Sequence, residues 1–271
     1  MFVVNEAYGN AAVLRSYCNV SQKTPIWGEI QHSLWVNAEK KSQELRSRLF
    51  PKIFTWNEIL KIQSSIPIGD PILYLPKHFQ SCEPMQGNKI IGLPKFRRNE
   101  NLQSRIQIYK EFLSYTLEFV SNESFILVLH PGELKYADEI RGKKFRDVQI
   151  YLPPTSHQPM EDYFRLLSRS GLVVSDYLGP HAFRSSYFFE TEVHLTPEIW
   201  RNPVEEPRIS ELFDAYVRDS SKKNRKLISQ QLLGVDSFKS VNELRKILGF
   251  SFPKKSLGPA FKWAYELKNS F

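Results

Sequence analysis

Residues 125–134 read FILVLHPGEL, and no other stretch limits the fold so strongly. Five apolar residues, Phe125 to Leu129, follow one another without polar alternation and stop at His130-Pro131-Gly132. A strand of that kind has to be covered on both faces, as strands are in parallel α/β sheets. Ligands of such sheets bind at the carboxyl ends of the strands. His130 therefore stands where a ligand is expected.

The flanking sequence supports the same class. KIIGL (89–93), VQIYL (148–152) and GLVVS (171–175) read as further buried strands, with a shorter one at Val193–Leu195. Between them, Asn101–Ser121 repeats Ile106, Tyr109, Phe112, Leu113, Leu117 and Val120 at helical spacing. Residues 160–168 and 183–189 also read as helices, and from Ile209 the chain is mostly helical. Strands alternating with helices predict a parallel, doubly wound sheet. The first 75 residues alternate too. They suggest a helix over 5–17, a strand or loop in 26–35, a helix or turn at 40–49 and a strand at 52–56. A helix over 58–64 capped by Asn57 follows, then a turn at Pro67–Pro71 leading into a strand at 72–75. Pro76–Asn88 has the composition of a linker. The expected division is 1–84, a short α/β half, and 85–271, a larger α/β half that ends in helices. The first half falls well short of the about 150 residues of a full nucleotide-binding domain.

Composition narrows the function classes. With 41% hydrophobic and 24% charged residues the chain is globular, not disordered. No apolar run approaches the roughly 20 residues that span a bilayer, and MFVVNEAYGN lacks the regions of a secretory signal. The two cysteines, Cys18 and Cys82, have no metal-type spacing and fit a reduced, cytoplasmic setting. A net charge of +8 and a pI of about 9.3 favour an anionic partner. No zinc-finger, RNP or basic-zipper pattern accompanies that charge, so nucleic acid is set aside.

Four polar clusters fall near strand ends, and each has a functional and a structural reading. His130, Pro131 and Gly132 suit a phosphate, through the imidazole and backbone N–H groups; the alternative is a loop histidine capping its own backbone. In SDYLGPHAFRSSYFF (175–189), Ser185 and Ser186 read as the first turn of a helix, with Arg184 adding charge for an anion; the alternative is ordinary serine capping. In WGEIQHSLW (27–35), His32 with Glu29 nearby suits a general base; a packed histidine is the commoner outcome. The (i, i+3) spacing pairs the two on a helix but not on a strand. In IPIGDPILYLP (66–76), Asp70 could hold a substrate hydroxyl, although a turn-forming aspartate before proline is the simpler reading.

The order of these parts, a histidine loop in a short first half, then His130-Pro131 at a strand end, then Ser185-Ser186, resembles bacterial glycosyltransferases of the GT-B type. It is similar in particular to those with HP and SS motifs that use cytidine-linked donors, the sialyltransferases and Kdo transferases, and to the CDP-glycerol glycerophosphotransferases. The resemblance implies an α/β, GT-B-like fold of Rossmann-like parallel sheets with a shortened N-terminal half and a helical C-terminus. It implies that His130, Pro131, Gly132, Arg184, Ser185 and Ser186 bind the donor nucleotide. The acidic-acidic-glycine motif of the sialyltransferases is absent, which makes His32 or Glu29 the candidate base and Asp70 a candidate acceptor contact.

The activity this implies is transfer of a sugar or polyol phosphate from a CMP- or CDP-linked donor to a surface-polysaccharide or lipid-linked acceptor. No Asp-x-Asp metal motif occurs, so the expected reaction uses neither metal nor resident cofactor. The basic balance suits peripheral docking of a cytoplasmic protein on the anionic inner membrane. A non-catalytic nucleotide- or glycan-binding subunit is the alternative. A nucleotide-sugar epimerase is a third reading, with Glu133, Asp138 and Glu139 as the acids on hand.

Overall fold

The computed structural model describes residues 9–26, 28–31, 52–59, 65–75, 89–95, 100–121, 124–151, 159–200 and 207–250. The chain forms two units, Met1–Pro76 with Leu233–Phe271, and Lys77–Leu232. The sequence division at 84/85 differs in two respects: the boundary falls at 76/77, and from Leu233 the chain belongs to the first unit and not to the second. The expected linker 76–88, the segment 40–49 and Cys82 lie outside the described residues.

Among its described residues the first unit holds helix α1 (Asn10–Tyr17) and a parallel sheet ordered β1 (Glu29–Ile30), β2 (Ile53–Thr55), β3 (Ser65–Pro67). Trp56, just past β2, is fully buried, and Gln31 fixes it. The Trp56 N–H donates to Gln31 Oε1 at 2.8 Å, and the indole N–H donates to the Gln31 carbonyl at 2.9 Å. The strand expected at 72–75 is a 3-10 turn, Pro71–Tyr74. Proline presets its first turn, and the Asp70 carboxylate accepts the Ile72 N–H at 3.1 Å. The returning chain packs on this turn: Phe238 stacks on Tyr74 with ring centres 4.6 Å apart, and Tyr17 meets Tyr74 edge-on at 4.9 Å.

The second unit is built on five parallel strands: β4 (Lys89–Gly92), β5 (Phe125–Val128), β6 (Gln149–Tyr151), β7 (Ser170–Tyr177) and β8 (Glu192–Trp200). Their spatial order is β6-β5-β4-β7-β8, so the direction of winding reverses between β4 and β7. The α/β class, the parallel sheets and the helical C-terminal stretch are as the sequence implies. Helix α2 (Leu102–Thr116) lays Ile106, Tyr109, Phe112 and Leu113 over Phe125, Leu127 and Leu129. Ile126 is buried on the opposite face, which accounts for the unbroken apolar run. Gly92 makes this packing feasible, because a Cβ there would stand 2.4 Å from the Phe125 ring.

Among the described residues the remaining helices are α3 (Ala137–Arg141), α4 (Pro159–Ser168), α5 (Pro180–Phe189), α6 (Pro207–Arg218), α7 (Lys222–Leu233) and α8 (Val241–Ile247). Among the described residues no helix is long and apolar enough to cross a membrane.

Candidate functional site at the carboxyl edge of the second sheet

In a doubly wound sheet the crevice opens where the strand order reverses, here at the carboxyl ends of β4 and β7. Two side chains from β7 tie those ends together. Ser175 Oγ lies 2.7 Å from the Leu93 carbonyl just beyond β4, and the Asp176 carboxylate accepts the Lys95 N–H at 2.7 Å. His181, in the first turn of α5, puts Nε2 2.9 Å from Ser175 Oγ. A carbonyl can only accept, so the short Leu93 contact takes the hydroxyl proton and Nε2–H donates to Oγ. His181 is fully buried, and burial together with the nearby Arg184 charge depresses its pKa to about 3. It is a neutral structural residue, and one the sequence reading passed over beside its better-placed neighbours.

After β4 the chain enters α2, whose N-cap Asn101 accepts the Ser104 N–H at 3.0 Å. That leaves the Leu102 and Gln103 N–H groups of the first turn pointing along the helix axis, a setting that favours anions.

His130 tops β5 as expected, and it caps the 3-10 turn Pro131–Tyr136. Its Nδ1 accepts the Gly132 N–H at 3.1 Å, and the Glu133 N–H donates to the His130 carbonyl at 2.7 Å. The expected cradle of N–H groups is thereby corrected: the turn consumes those at 132 and 133. With Nδ1 accepting, the ring proton resides on Nε2. Burial lowers the imidazole pKa, opposed by the Glu133 charge, so His130 is a neutral donor at neutral pH. Next to it Glu133, 1% exposed, holds the Arg105 guanidinium at 2.7 Å. Of the other acids, Asp138 pairs on the surface with Arg141 of the same helix.

The serine pair is placed differently from the sequence reading. Helix α5 begins at Pro180, so Ser185 and Ser186 lie in its second turn, where N–H groups are already bonded within the helix. Both are buried. Ser186 Oγ is 2.6 Å from the Tyr216 hydroxyl on α6, and Ser185 Oγ has no hydrogen-bond partner among the described residues. Arg184 is buried as well, with its guanidinium 5.9 Å from the Tyr163 ring centre. His130 and the serines occupy different elements on either side of β4. Ser185→Ala is accordingly expected to leave the melting temperature unchanged or slightly raised, since it removes a buried unpaired hydroxyl; a fall of several degrees would show that the hydroxyl is bonded.

In the first unit, Glu29 lies buried in β1, so the helical (i, i+3) pairing with residue 32 does not apply, and His32 itself lies outside the described residues. Asp70 is fully buried and spent on its turn, as the turn-forming alternative has it. No group of three or more metal-ligating side chains gathers among the described residues.

No known family model matches the chain, and no curated protein does. Among solved structures, the UDP-GlcNAc 2-epimerase from Neisseria meningitidis bound to UDP-GlcNAc aligns over 89% of this chain and 72% of its own, at 15% identity and a TM-score of 0.45. An S. aureus MnaA–UDP structure aligns over 78% and 62%, at 15% identity and 0.43. S. aureus TarM in complex with fondaparinux, α-GlcNAc-glycerol and UDP aligns over 94% and 54%, at 12% identity and 0.39. The chain thus spans under two thirds of the latter two proteins. At these scores the fold stands on the strand order itself.

Proposed function

We propose that the second unit binds a nucleotide-activated sugar at the carboxyl edge of its sheet, and that the chain transfers the sugar, or a polyol phosphate, to a glycan or lipid-linked acceptor in the manner of a GT-B glycosyltransferase. The observation that carries this reading is the reversal of strand order at β4/β7, flanked by His130 at the end of β5 and the first turn of α2 after β4. A cytidine-linked donor is favoured by the His130-Pro131 resemblance.

The nucleotide phosphate leaves with negative charge. The His130 Nε2–H and the first-turn N–H groups of α2 are fixed before the reaction and would stabilise that charge as it develops. One such donor is worth about 3 kcal/mol, or roughly a hundredfold in rate. The acceptor hydroxyl must lose a proton, and His32 or Glu29 is proposed as the base, worth roughly a hundredfold.

A calorimetric screen of CMP, CDP, UDP, GDP and TDP tests the site. One nucleotide is expected to bind, and His130→Ala to weaken it by about tenfold to a hundredfold, the worth of one hydrogen bond to a charged group. Unchanged affinity in that variant would place the nucleotide elsewhere. Binding that persists without turnover of any donor would favour the non-catalytic subunit.

A further inference from the structure

Helix α1 of the first unit begins without a side-chain cap. Its N-cap is Gly9, at φ 78°, no side chain accepts from its first turn, and that turn holds no acidic residue. The opening N–H groups of a helix have no carbonyl of their own helix to meet, and the helix dipole leaves positive charge there. Gln22 serves the flank of the helix and not this end: its Nε2 donates to the Ala12 carbonyl at 3.2 Å and to Ser16 Oγ at 2.9 Å.

Asn10 makes this end more than a bare terminus. Asparagine serves a helix best as its N-cap, where the side-chain oxygen accepts an N–H of the first turn. Asn10 stands one residue further in, as the first helical residue, and caps nothing. It is 1% exposed, and neither Oδ1 nor Nδ2 has a hydrogen-bond partner among the described residues. Side chains of a helix tilt toward its N-terminus, so this carboxamide leans over the uncapped turn. A buried amide left unpaired is costly. One with its donor and its acceptor both open is matched by a group that supplies both.

The chemistry of that group follows. The helix end and Nδ2 call for an acceptor, best an anion, and the dipole disfavours a cation. Oδ1 calls for a donor, which an ionised carboxylate or a phosphate dianion lacks. A phosphate ester with a hydroxyl on the neighbouring carbon offers its anion to the N–H groups and its O–H to Oδ1.

We propose that the head of α1, with the Asn10 carboxamide, is a binding site in the first unit for the phosphate end of a phosphorylated polyol or sugar. It rests on α1 alone and does not depend on the nucleotide reading of the second unit.

The test is calorimetric titration of the whole chain with glycerol 3-phosphate and glucose 1-phosphate, with glycerol and inorganic phosphate as controls. At least one ester is expected to bind at or below millimolar concentration, and both controls at least about tenfold more weakly. Asn10→Asp keeps the shape and sets a negative charge against the anion, and is expected to weaken binding by about a hundredfold. Asn10→Leu removes both hydrogen-bonding atoms at similar size; it is expected to weaken binding by about tenfold and to raise the melting temperature. Should both variants fail to fold, Ala12→Glu decides, at a half-buried position of the first turn. Its carboxylate favours the helix and competes with the ligand, so the melting temperature holds or rises while ester affinity falls at least about tenfold. His130→Ala leaves ester binding unchanged. The proposal is overturned if neither ester binds, if the folded variants of α1 bind as the wild type does, if inorganic phosphate binds as tightly as the esters, or if His130→Ala abolishes ester binding.

Discussion

Gly234→Ala is expected to cost roughly 3–5 kcal/mol and to unfold the first unit at temperatures where the wild type is intact. Gly234 follows α7 with φ at 67°, the left-handed region that costs a residue with a side chain 1–2 kcal/mol or so. The larger part is steric. A Cβ at 234 would stand 1.7 Å from the Trp56 carbonyl oxygen and 2.5 Å from its carbon. These are backbone atoms of a fully buried residue whose amide and indole are both tied to Gln31, so neither side can yield. The approach recurs beside Gly234, where the Asp70 N–H donates to the Leu233 carbonyl at 2.8 Å. This bond holds the returning chain against the turn that follows β3. Circular dichroism melts of the two proteins decide the matter. Since a domain is stable by only about 5–15 kcal/mol, a variant melting within two degrees or so of the wild type would mean that this close approach does not exist.

How much of this the sequence disclosed depends on where the information resides. The Phe125–Leu129 run announced a buried parallel strand because a strand covered on both faces has no polar positions to spare, and Ile106, Tyr109, Phe112 and Leu113 announced α2 by their spacing. Both are local patterns. The end of β5 was legible for the same reason, yet the state of His130 was not: whether its Nδ1 meets a ligand or its own Gly132 N–H is decided by a turn that begins at Pro131. The serine pair misled through a boundary of three residues. A helix taken to start at 183 puts Ser185 in its first turn, while one that starts at Pro180 buries it in the second. Proline at the first helical position was the signal available. The attachment of the residues after 233 to the first unit rests on contacts such as Gly234 with Trp56, nearly two hundred positions apart, and no periodicity encodes them.

Acid is expected to destabilise the protein through His181, and His181→Gln to remove that part of the effect. In the unfolded chain the imidazole titrates near 6.5, whereas in the folded protein burial and the Arg184 charge hold it at about 3. Above pH 6.5 both states carry the neutral ring and stability is at its full value. As pH falls below 6.5 the unfolded chain takes up a proton that the folded protein refuses, so stability declines until about pH 3, at up to 1.4 kcal/mol or so per pH unit. His130 shifts in the same direction and adds to the decline. Comparison with the variant isolates residue 181, because glutamine can still donate to Ser175 Oγ but does not titrate. Between pH 6.5 and 4.5 the wild type should lose about 2–3 kcal/mol more than His181→Gln in urea unfolding. Equal losses would mean that the imidazole is protonated in the folded state. The same imidazole supports the Ser175 hydroxyl that ties β7 to Leu93, and a ring that stays neutral in the folded protein down to about pH 3 keeps that tie unchanged between pH 6.5 and 4.5 while global stability declines.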